Sequence, residues 1–222
     1  KIGSISDMTI FSFHPVKHIT TGEGGMITTD NKEYYERLKL FRTHGITKEK
    51  DKLLNYDGPW YYEMQELGYN YRLTDFQCAL GMAQLKKIDK NVQRRIEIAQ
   101  KYNEEFKDIE EIKTPYSDSK NSTSAWHLYI IQLNLEKLKV GRREIFEALK
   151  AENIGVNVHY IPVHLQPYYQ KRFGYRLGDF PKAENYYSRA ITLPIFPKMS
   201  DKDINDVIKA VKKVINYYRR RI

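Results

Sequence analysis

The sequence predicts a mixed α/β chain in two parts, with strands and helices alternating along most of its 222 residues. Three observations predict this class. Short β-prone runs flank a glycine-rich turn near the start, a long helical stripe follows from Thr74, and strand and helix patterns alternate in the remainder. We expect residues 1–90 to belong to one domain and residues 91–222 to a smaller α+β domain.

The first predicted strand covers residues 8–13, where β-prone residues lead toward a proline. Pro15 stops this strand because it has no backbone N–H to donate. The glycines of residues 22–25 then form a turn and lead into a second strand at residues 26–29. Such a loop presents the single amine of Lys17 at the end of a strand.

Ser12 lies five residues before Lys17, so one hydroxyl and one amine can serve the same anionic ligand with a carbonyl group. A sheltered lysine amine can lose its proton and form a Schiff base with such a carbonyl. An exposed loop lysine beside a hairpin is the ordinary alternative, and the residues alone leave it open. The glycine-rich turn is neither a Walker loop nor a Rossmann fingerprint, since it leads into a strand.

A helix is predicted over residues 32–43, with Asp30 or Asn31 as its cap. Residues 46–66 are charged and aromatic, and we expect an irregular excursion that serves as a mobile flap or a subunit contact. Within it, the Trp-Tyr-Tyr run at residues 60–62 forms either an exposed aromatic cluster or packing under the loop.

An amide and a guanidinium, those of Asn70 and Arg72, stand two residues apart just before the next predicted helix. Such a pair suits phosphate recognition, although a loop asparagine with a surface arginine is the simpler interpretation. Thr74 and Gln77 have the spacing of a capping box, which starts a helix. The helical stripe continues to Phe106, so we predict one connecting helix of about thirty residues.

Strands and helices alternate after this connecting helix. We predict strands at residues 125–133, 156–160 and 193–195, and helices at residues 142–151, 166–173, 183–190 and after a cap at Ser200. His159, Tyr160 and His164 form the last candidate cluster. Metal binding is not expected there, because no Cys, Asp or Glu lies between the two histidines to complete a ligand set.

The net charge is +9, but the basic residues are interleaved with acidic ones along the chain. We therefore expect no nucleic-acid partner, and the charge fits phosphorylated small molecules. Cys78, the only cysteine, permits no internal disulfide and is expected to be a small buried residue. We find no signal peptide and no apolar run of about eighteen residues, and expect a cytoplasmic protein with no membrane contact.

Residues 12–17 read Ser-Phe-His-Pro-Val-Lys, and residues 21–25 read Thr-Gly-Glu-Gly-Gly. Together they closely resemble the pyridoxal-phosphate site of the sugar aminotransferases of the DegT/DnrJ/EryC1/StrS family. The resemblance implies that Lys17 carries the cofactor as a Schiff base and that Ser12 binds its phosphate. Dehydratases of the family have histidine at the position of Lys17, so the lysine favours transamination.

The family has the pyridoxal-phosphate-dependent transferase fold type I, like aspartate aminotransferase. The resemblance implies that residues 1–90 are the end of the large cofactor-binding domain and that residues 91–222 are the small C-terminal domain. In the family about half of the chain lies before the strand that matches the first strand of this sequence. That half includes the acidic partner of the pyridine nitrogen and the ring that stacks on the cofactor. We therefore expect this sequence to be the C-terminal part of a longer enzyme.

Residues 68–72 are similar to a family element, Gly-x-Asn-x-Arg, that reaches from one subunit to the cofactor phosphate of the other. The similarity implies cofactor contacts for Asn70 first and Arg72 second, and a homodimer with shared active sites. A His-Tyr-x-Pro stretch of the family lines the sugar-nucleotide side of the pocket. It implies substrate contacts for His159 and Tyr160, while edge-strand residues without a ligand are the alternative for this pair. His14 of the lysine loop is a third candidate for a substrate contact.

Within the family, residues 13–17 and 40–45 are most similar to the members that act in pseudaminic acid biosynthesis. The similarity implies amination of a UDP-linked 4-keto-6-deoxy sugar in bacterial or archaeal surface-sugar biosynthesis. Glutamate would be the amino donor and 2-oxoglutarate its product. Three alternatives stay open, namely another nucleotide-linked keto sugar, the dehydratase reaction, and a non-catalytic basic domain that binds anionic partners.

Overall fold

The computed structural model describes residues 1–116 and 121–220, which form two compact units, Lys1–Ile88 and Asp89–Ile222. Both units contain helices and antiparallel strands, which confirms the predicted mixed α/β class. The division lies beside the predicted boundary near residue 90. The interpretation of the units as the end of a large domain and a small domain stays a prediction.

The first unit begins with a two-stranded antiparallel sheet. Strand β1 (Thr9–Ser12) pairs with β2 (Gly25–Thr28), and the register places Ser12 opposite Gly25 at the end of the pair. A Cβ atom at Gly25 would lie 2.8 Å from the carbonyl oxygen of Phe11, so only glycine fits this close backbone approach. The sheet therefore positions the loop between its strands, which carries Lys17.

Helix α1 (Lys32–Phe41) follows, and the Asn31 side chain accepts a hydrogen bond from the backbone N–H of Tyr34. Asn31 is therefore the cap, of the two residues that the sequence allowed. The helix ends two residues earlier than predicted, because the chain turns at residues 42–45 to meet a later segment.

The predicted irregular excursion has an ordered frame. Strand β3 (Ile46–Thr47) pairs with β4 (Glu63–Met64), and a 3₁₀ turn lies between them at Lys50–Lys52. The carboxylate of Glu63 accepts hydrogen bonds from the backbone N–H groups of Leu54 and Asn55, at 2.7 and 2.9 Å. Of the Trp-Tyr-Tyr run, Trp60 and Tyr62 are exposed and Tyr61 is half-buried, with its hydroxyl on Glu63.

Helix α2 (Asp75–Leu85) starts with the predicted capping box of Thr74 and Gln77, which is confirmed. The prediction of one continuous helix is wrong. The chain makes a tight turn at Lys86 and Lys87, where the Lys87 N–H bonds the carbonyl of Gln84, and helix α3 (Ile88–Phe106) begins afterwards.

The two helices also differ in burial. In the part of the chain that the structure describes, α2 has no buried residue, whereas α3 buries five residues in the core of the second unit, namely Arg95, Ile98, Ala99, Tyr102 and Phe106. The predicted apolar stripe is therefore divided between two helices. Cys78 lies on α2 and is exposed, so the prediction of a buried cysteine is wrong for this structure.

The second unit contains a three-stranded antiparallel sheet in the order β5-β6-β7. Its strands are β5 (Ile112–Lys113), β6 (Tyr129–Leu133) and β7 (Ala190–Leu193). Strand β6 alternates buried and half-buried residues, as expected for a strand with one face on a core. Every residue of β7 is buried, which is typical of a strand covered on both faces.

Four more helices follow α3 in this unit. They are α4 (Arg142–Ala151), α5 (Pro167–Phe173), α6 (Pro181–Arg189) and α7 (Asp201–Tyr218), with 3₁₀ turns at Leu135–Lys137 and Val163–Leu165. The α4 prediction is confirmed in full, and Ser200 caps α7 through a capping box with Asp203. Among the described residues, no helix is long and apolar enough to span a bilayer.

Three strand predictions need correction. Residues 156–160 form only a single bridge, Asn157 to Thr192, because the Asn157 side chain accepts the N–H of Val158 and competes with the ladder. The strand predicted at residues 193–195 instead covers Ala190–Leu193, since Pro194 has no N–H to continue it. The strand predicted at residues 125–133 starts only at Tyr129.

Candidate active site

The loop that carries Lys17 is closed at its base by main-chain hydrogen bonds. The N–H of Phe13 donates to the carbonyl of Gly24 at 2.9 Å. The carbonyl of Phe13 in turn accepts from the Thr21 N–H and from the Thr20 hydroxyl, each at 3.1 Å. Phe13 is 7% exposed and is the only buried apolar side chain among the described residues of this unit. The loop therefore has a fixed base.

The predicted site residues of this loop lie close together along the chain. Ser12 ends β1, and its hydroxyl oxygen lies 3.4 Å from the backbone nitrogen of His14. The N–H of Lys17 donates to the His14 carbonyl at 3.0 Å, which makes a tight turn, and Lys17 is half-buried. The His14 ring lies 3.9 Å from the carboxylate of Glu23 across the loop. The Ser12 hydroxyl, the His14 imidazole and the Lys17 amine thus belong to a single closed loop.

The glycine-rich turn is packed, not open. Gly24 has φ +148°, and a Cβ atom there would lie 2.5 Å from the Thr21 hydroxyl and 2.8 Å from a methyl of Leu73. The carbonyl of Glu23 accepts two hydrogen bonds, from Thr21 Oγ1 at 2.7 Å and from Gln77 Nε2 at 2.9 Å. Gln77 lies on α2, so this helix is attached directly to the turn of the lysine loop.

Asn70 and Arg72 form one polar turn immediately before α2. Arg72 Nε donates to Asn70 Oδ1 at 3.1 Å, and both residues are exposed. Tyr69 and Tyr71 stack on each other with their ring centroids 5.0 Å apart. The amide and the guanidinium are therefore held side by side, in an arrangement that can bind an anion.

The segment at residues 42–45 lies against this turn. The His44 N–H donates to the Tyr69 carbonyl at 2.8 Å, and Thr43 forms an isolated antiparallel β-bridge with Asn70. At Gly45, with φ +70°, an added Cβ would lie 1.7 Å from the carbonyl oxygen of Glu66. The loop after α1 and the Asn70 turn are thus packed backbone to backbone.

His159 and Tyr160 lie in the second unit and contact each other. Their rings are 4.4 Å apart in an edge-to-face arrangement, and Tyr160 is 70% exposed. His159 Nδ1 lies 2.7 Å from the hydroxyl oxygen of Thr192, which is buried in β7. The structure thus places the predicted pair together, with an exposed tyrosine and an anchored histidine.

His164 does not join this pair. It is buried, and its Nε2 lies 2.8 Å from Glu184 Oε1. The Glu184 carboxylate also accepts the N–H groups of Gly178 and Phe180. Burial raises the pKa of Glu184, but these hydrogen bonds outweigh it and hold the pKa below its ordinary value. Within residues 1–116 and 121–220, no group of three or more His, Cys, Asp or Glu could hold a metal.

The sequence did not predict two polar contacts that the structure shows at the candidate site residues. The capping box of Gln77 was predicted, but its hydrogen bond to Glu23 spans 54 residues and leaves no local pattern. Thr192 has a weak signal, since it is a single hydroxyl residue between Ile191 and Leu193 in an apolar strand. A buried hydroxyl in such a place needs a partner, and here the partner is His159.

Several curated proteins are similar to the chain over nearly its whole length. It is 51% identical to MJ1066 of Methanocaldococcus jannaschii, covering 99% of this chain and 56% of that protein. It is 46% identical to the spore coat polysaccharide biosynthesis protein SpsC of Bacillus subtilis, covering 96% and 55%. A UDP-4-amino-4,6-dideoxy-N-acetyl-β-L-altrosamine transaminase of Campylobacter jejuni is 42% identical, with 91% and 51% covered. The chain thus spans about half the length of these relatives.

Solved structures agree with these relatives. Helicobacter pylori PseC, an aminotransferase involved in the biosynthesis of pseudaminic acid, matches with a TM-score of 0.87 at 31% identity, covering 98% of this chain and 56% of that one. A sugar aminotransferase of Streptococcus pneumoniae, Spr1654 in its PMP-form, matches with a TM-score of 0.85 at 33% identity, covering 97% and 55%. Over the covered part, the chain has the fold of these pyridoxal-phosphate-dependent enzymes, fold type I.

The sequence resemblance is therefore confirmed at the level of the family and its fold. The family model matches residues 1–212, which include the lysine loop, the Asn70 turn and most of the second unit. Because this match covers most of its residues, the chain belongs to the DegT/DnrJ/EryC1/StrS aminotransferase family, whose aminotransferases use pyridoxal phosphate.

Proposed function

We propose that this chain supplies the lysine-bearing part of a pyridoxal-phosphate-dependent aminotransferase that acts on a nucleotide-linked 4-keto-6-deoxy sugar. The observation that carries the proposal is the closed loop from Ser12 to Gly25 with Lys17 inside it. Membership of the family supports this interpretation of the loop. The lysine also distinguishes the chain from family dehydratases, which have histidine there.

The donor set of the first unit fits pyridoxal phosphate. An aldehyde needs one amine within a sheltered loop, which Lys17 supplies, and a phosphate needs several N–H and O–H donors. Ser12 offers a hydroxyl at the end of β1, and the turn before α2 offers the amide of Asn70 and the guanidinium of Arg72. Ser12 and Lys17 of one copy, with Asn70 and Arg72 of a second copy, would hold the cofactor, and Lys17 would be its covalent attachment.

Lys17 has two tasks in the proposed reaction. When bound, the cofactor supplies an electron-withdrawing ring that stabilises negative charge on a neighbouring carbon. Lys17 Nζ would hold the cofactor and, when free, would carry a proton between the carbon of the amino donor and the neighbouring carbon that receives it. The closed base of the loop would hold Lys17 in place, because a group that carries a proton must stay within reach of the carbon that loses it and the carbon that receives it.

Names of relatives support the finer substrate assignment. The Campylobacter jejuni relative is named as a transaminase of a UDP-linked 4-amino-4,6-dideoxy sugar. We propose a UDP-linked sugar for this chain as well, with glutamate as amino donor and 2-oxoglutarate as its product. His14, His159 and the exposed ring of Tyr160 are proposed to contact that substrate.

We also propose that two copies of the complete protein share their active sites. Asn70 and Arg72 are exposed, and Tyr71 beside them is 73% exposed, so this turn is accessible to a second subunit. In such a homodimer, the turn of one subunit would bind the cofactor phosphate of the other.

The test uses the complete gene product that contains these residues. The protein is mixed with pyridoxal phosphate, reduced with borohydride, and examined by intact mass and peptide mapping. We expect one cofactor adduct, located on Lys17, which is absent in Lys17→Ala and retained in the matched control Lys32→Ala. An adduct on another lysine, or none in the wild type, would refute the proposal.

The substrate is tested separately by turnover. UDP- and GDP-linked 4-keto sugars are supplied with glutamate, and the amino sugar is measured by mass. Formation of 2-oxoglutarate together with the UDP-linked amino sugar is the expected result. A GDP-linked product, or loss of a hydroxyl without transfer of nitrogen, would instead indicate another family reaction.

A further inference from the structure

We propose that Gln77 is a positioning residue that fixes the loop of Lys17 to the turn that carries Asn70 and Arg72. The inference rests on the proposed function, because it concerns the placement of the same lysine and the same phosphate-binding groups. None of these groups is touched by Gln77 itself, so its effect acts through the backbone of the loop.

The Gln77 side chain uses both ends of its amide. Its oxygen accepts the N–H of Thr74 at 2.9 Å, which closes the capping box at the start of α2. Its nitrogen donates to the carbonyl oxygen of Glu23 at 2.9 Å, in the glycine-rich turn. One side chain thus joins the start of α2 to the lysine loop.

A short series of hydrogen bonds carries this attachment toward Lys17. The Glu23 carbonyl that receives Gln77 also accepts the hydroxyl of Thr21, which is 4% exposed. The N–H of Thr21 donates to the carbonyl of Phe13, at the base of the loop. The position of the loop base therefore depends on a carbonyl that Gln77 and Thr21 hold from two sides.

Packing gives the same attachment a second contact. Leu73, one residue before the cap of α2, lies so close to Gly24 that a Cβ there would be 2.8 Å from its methyl group. Gly81, further along α2, also faces the turn, since an added Cβ there would lie 3.0 Å from the methyl carbon of Thr21. Helix α2 therefore lies directly on the turn, and the hydrogen bond of Gln77 sets the register of that contact.

The two roles of Gln77 can be separated by substitution. In Gln77→Glu, the carboxylate still accepts the N–H of Thr74, and an acid in the first turn suits the helix dipole. It has no hydrogen to donate to Glu23, however, so the attachment to the loop is lost. Thr74→Ala does the reverse, because it removes the hydroxyl of the cap and leaves the Gln77–Glu23 hydrogen bond in place.

Hydrogen exchange of the complete gene product measures the two roles separately. In Gln77→Glu we expect amides of residues 20–25 to exchange about five-fold faster, the effect of losing one net hydrogen bond. Amides of residues 75–78 should be unchanged. In Thr74→Ala the pattern should be inverted, with faster exchange at residues 75–78 and an unchanged exchange rate at residues 20–25.

The second measurement is the rate at which pyridoxal phosphate becomes trapped on Lys17 after borohydride quenching. We expect this rate to fall about five-fold in Gln77→Glu and to stay near the wild-type value in Thr74→Ala, because only the first variant releases the loop. A spectroscopic titration of the bound cofactor with pH should shift in Gln77→Glu alone.

The outcomes distinguish the inference from the proposed function. If the wild type traps no cofactor on Lys17, the proposed function fails. If the wild type traps it and Gln77→Glu matches the wild type in both exchange and trapping rate, the positioning role is wrong and the function stands. If Thr74→Ala reproduces every change of Gln77→Glu, Gln77 acts only as a helix cap, which also contradicts the inference.

Discussion

Nδ1 of His159 lies 2.7 Å from the hydroxyl oxygen of Thr192, which is 5% exposed in an otherwise apolar strand. The backbone of Thr192 also exchanges two hydrogen bonds with Asn157, at 2.8 and 3.2 Å. A single strand residue thus holds the segment before His159 through its main chain and the imidazole through its side chain. This contact fixes the direction of the ring.

The first prediction concerns the substitution Thr192→Val, which keeps the shape of the side chain and removes its hydroxyl. Since His159 is proposed to contact the sugar nucleotide, we expect KM for that substrate to rise about five-fold, the effect of one net hydrogen bond. The value of kcat should change less, because the lysine proposed to act on the reacting atoms lies in the first unit. Steady-state kinetics measure both constants, and nitrogen NMR of the ring reports whether the hydrogen bond at Nδ1 is lost.

Thr192→Ser is the matched control, because serine keeps the hydroxyl and loses only a methyl group. It should retain the wild-type KM and the hydrogen bond at Nδ1 of His159. Equal kinetic effects of the valine and serine variants would show that packing of β7, rather than orientation of His159, decides the result.

The second prediction follows from the low pKa of Glu184. Its carboxylate accepts hydrogen bonds from His164, Gly178 and Phe180, and these hold its pKa below the ordinary 4.5 of a glutamate. A lowered pKa stabilises the fold above the unfolded value, and that stabilisation is lost as the pH falls through the folded pKa. We therefore expect the denaturant midpoint to decrease as the pH falls below about 4.5.

The substitution Glu184→Gln removes this titration while keeping a side chain of the same size. Its midpoint should be lower than the wild type at neutral pH, and the difference should shrink as the pH falls below about 4.5. A constant difference across the acid range would mean that other carboxylates cause the acid sensitivity. Urea denaturation followed by tryptophan fluorescence at several pH values supplies the comparison.

The third prediction concerns the ion pair between Glu111 and Arg219. The Glu111 side chain is 5% exposed, and its two oxygens lie 2.7 and 2.9 Å from Nε and Nη2 of the arginine. Arg219→Ala would leave a buried carboxylate without its partner, so we expect a loss of about 2–3 kcal/mol in the free energy of unfolding. Denaturant titration measures this loss.

A double variant tests the reason for that loss. Combining Arg219→Ala with Glu111→Met removes the buried charge as well, and should recover part of the stability. If the double variant is as unstable as the sum of both single variants, the arginine contributes through packing of its aliphatic part instead.

Local patterns in the sequence predicted the ends of several elements well. The capping boxes at Thr74 and Ser200 each depend on residues three apart, so four consecutive letters contain the whole signal. Pro194 is a comparable signal for the end of β7, since a strand cannot continue through a residue without an N–H. The break between α2 and α3 has no such signal, because no glycine or proline marks it.

The candidate site likewise combines features that neighbouring residues predict with contacts that depend on distant residues. Ser12 and Lys17 are close in the sequence, so their shared loop could be predicted from spacing and from the family resemblance. The contacts from Gln77 to Glu23 and from Thr192 to His159 span 54 and 33 residues, and only the folded chain brings these groups together. Long-range hydrogen bonds of this kind follow from tertiary packing, which no local pattern contains.

The last prediction compares two glycines with the same backbone conformation. Gly45 and Gly174 have φ of +70° and +74°, so alanine meets the same conformational cost at both, about 1 kcal/mol. At Gly174 nothing lies within 4 Å of the added Cβ, whereas at Gly45 it would lie 1.7 Å from the Glu66 carbonyl. Gly45→Ala must therefore also separate the loop after α1 from the Asn70 turn. We expect fast hydrogen exchange at residues 66–71 and loss of cofactor trapping in Gly45→Ala, with neither change in Gly174→Ala. Similar behaviour of the two variants would mean that backbone conformation, and not the close approach, decides the outcome at Gly45.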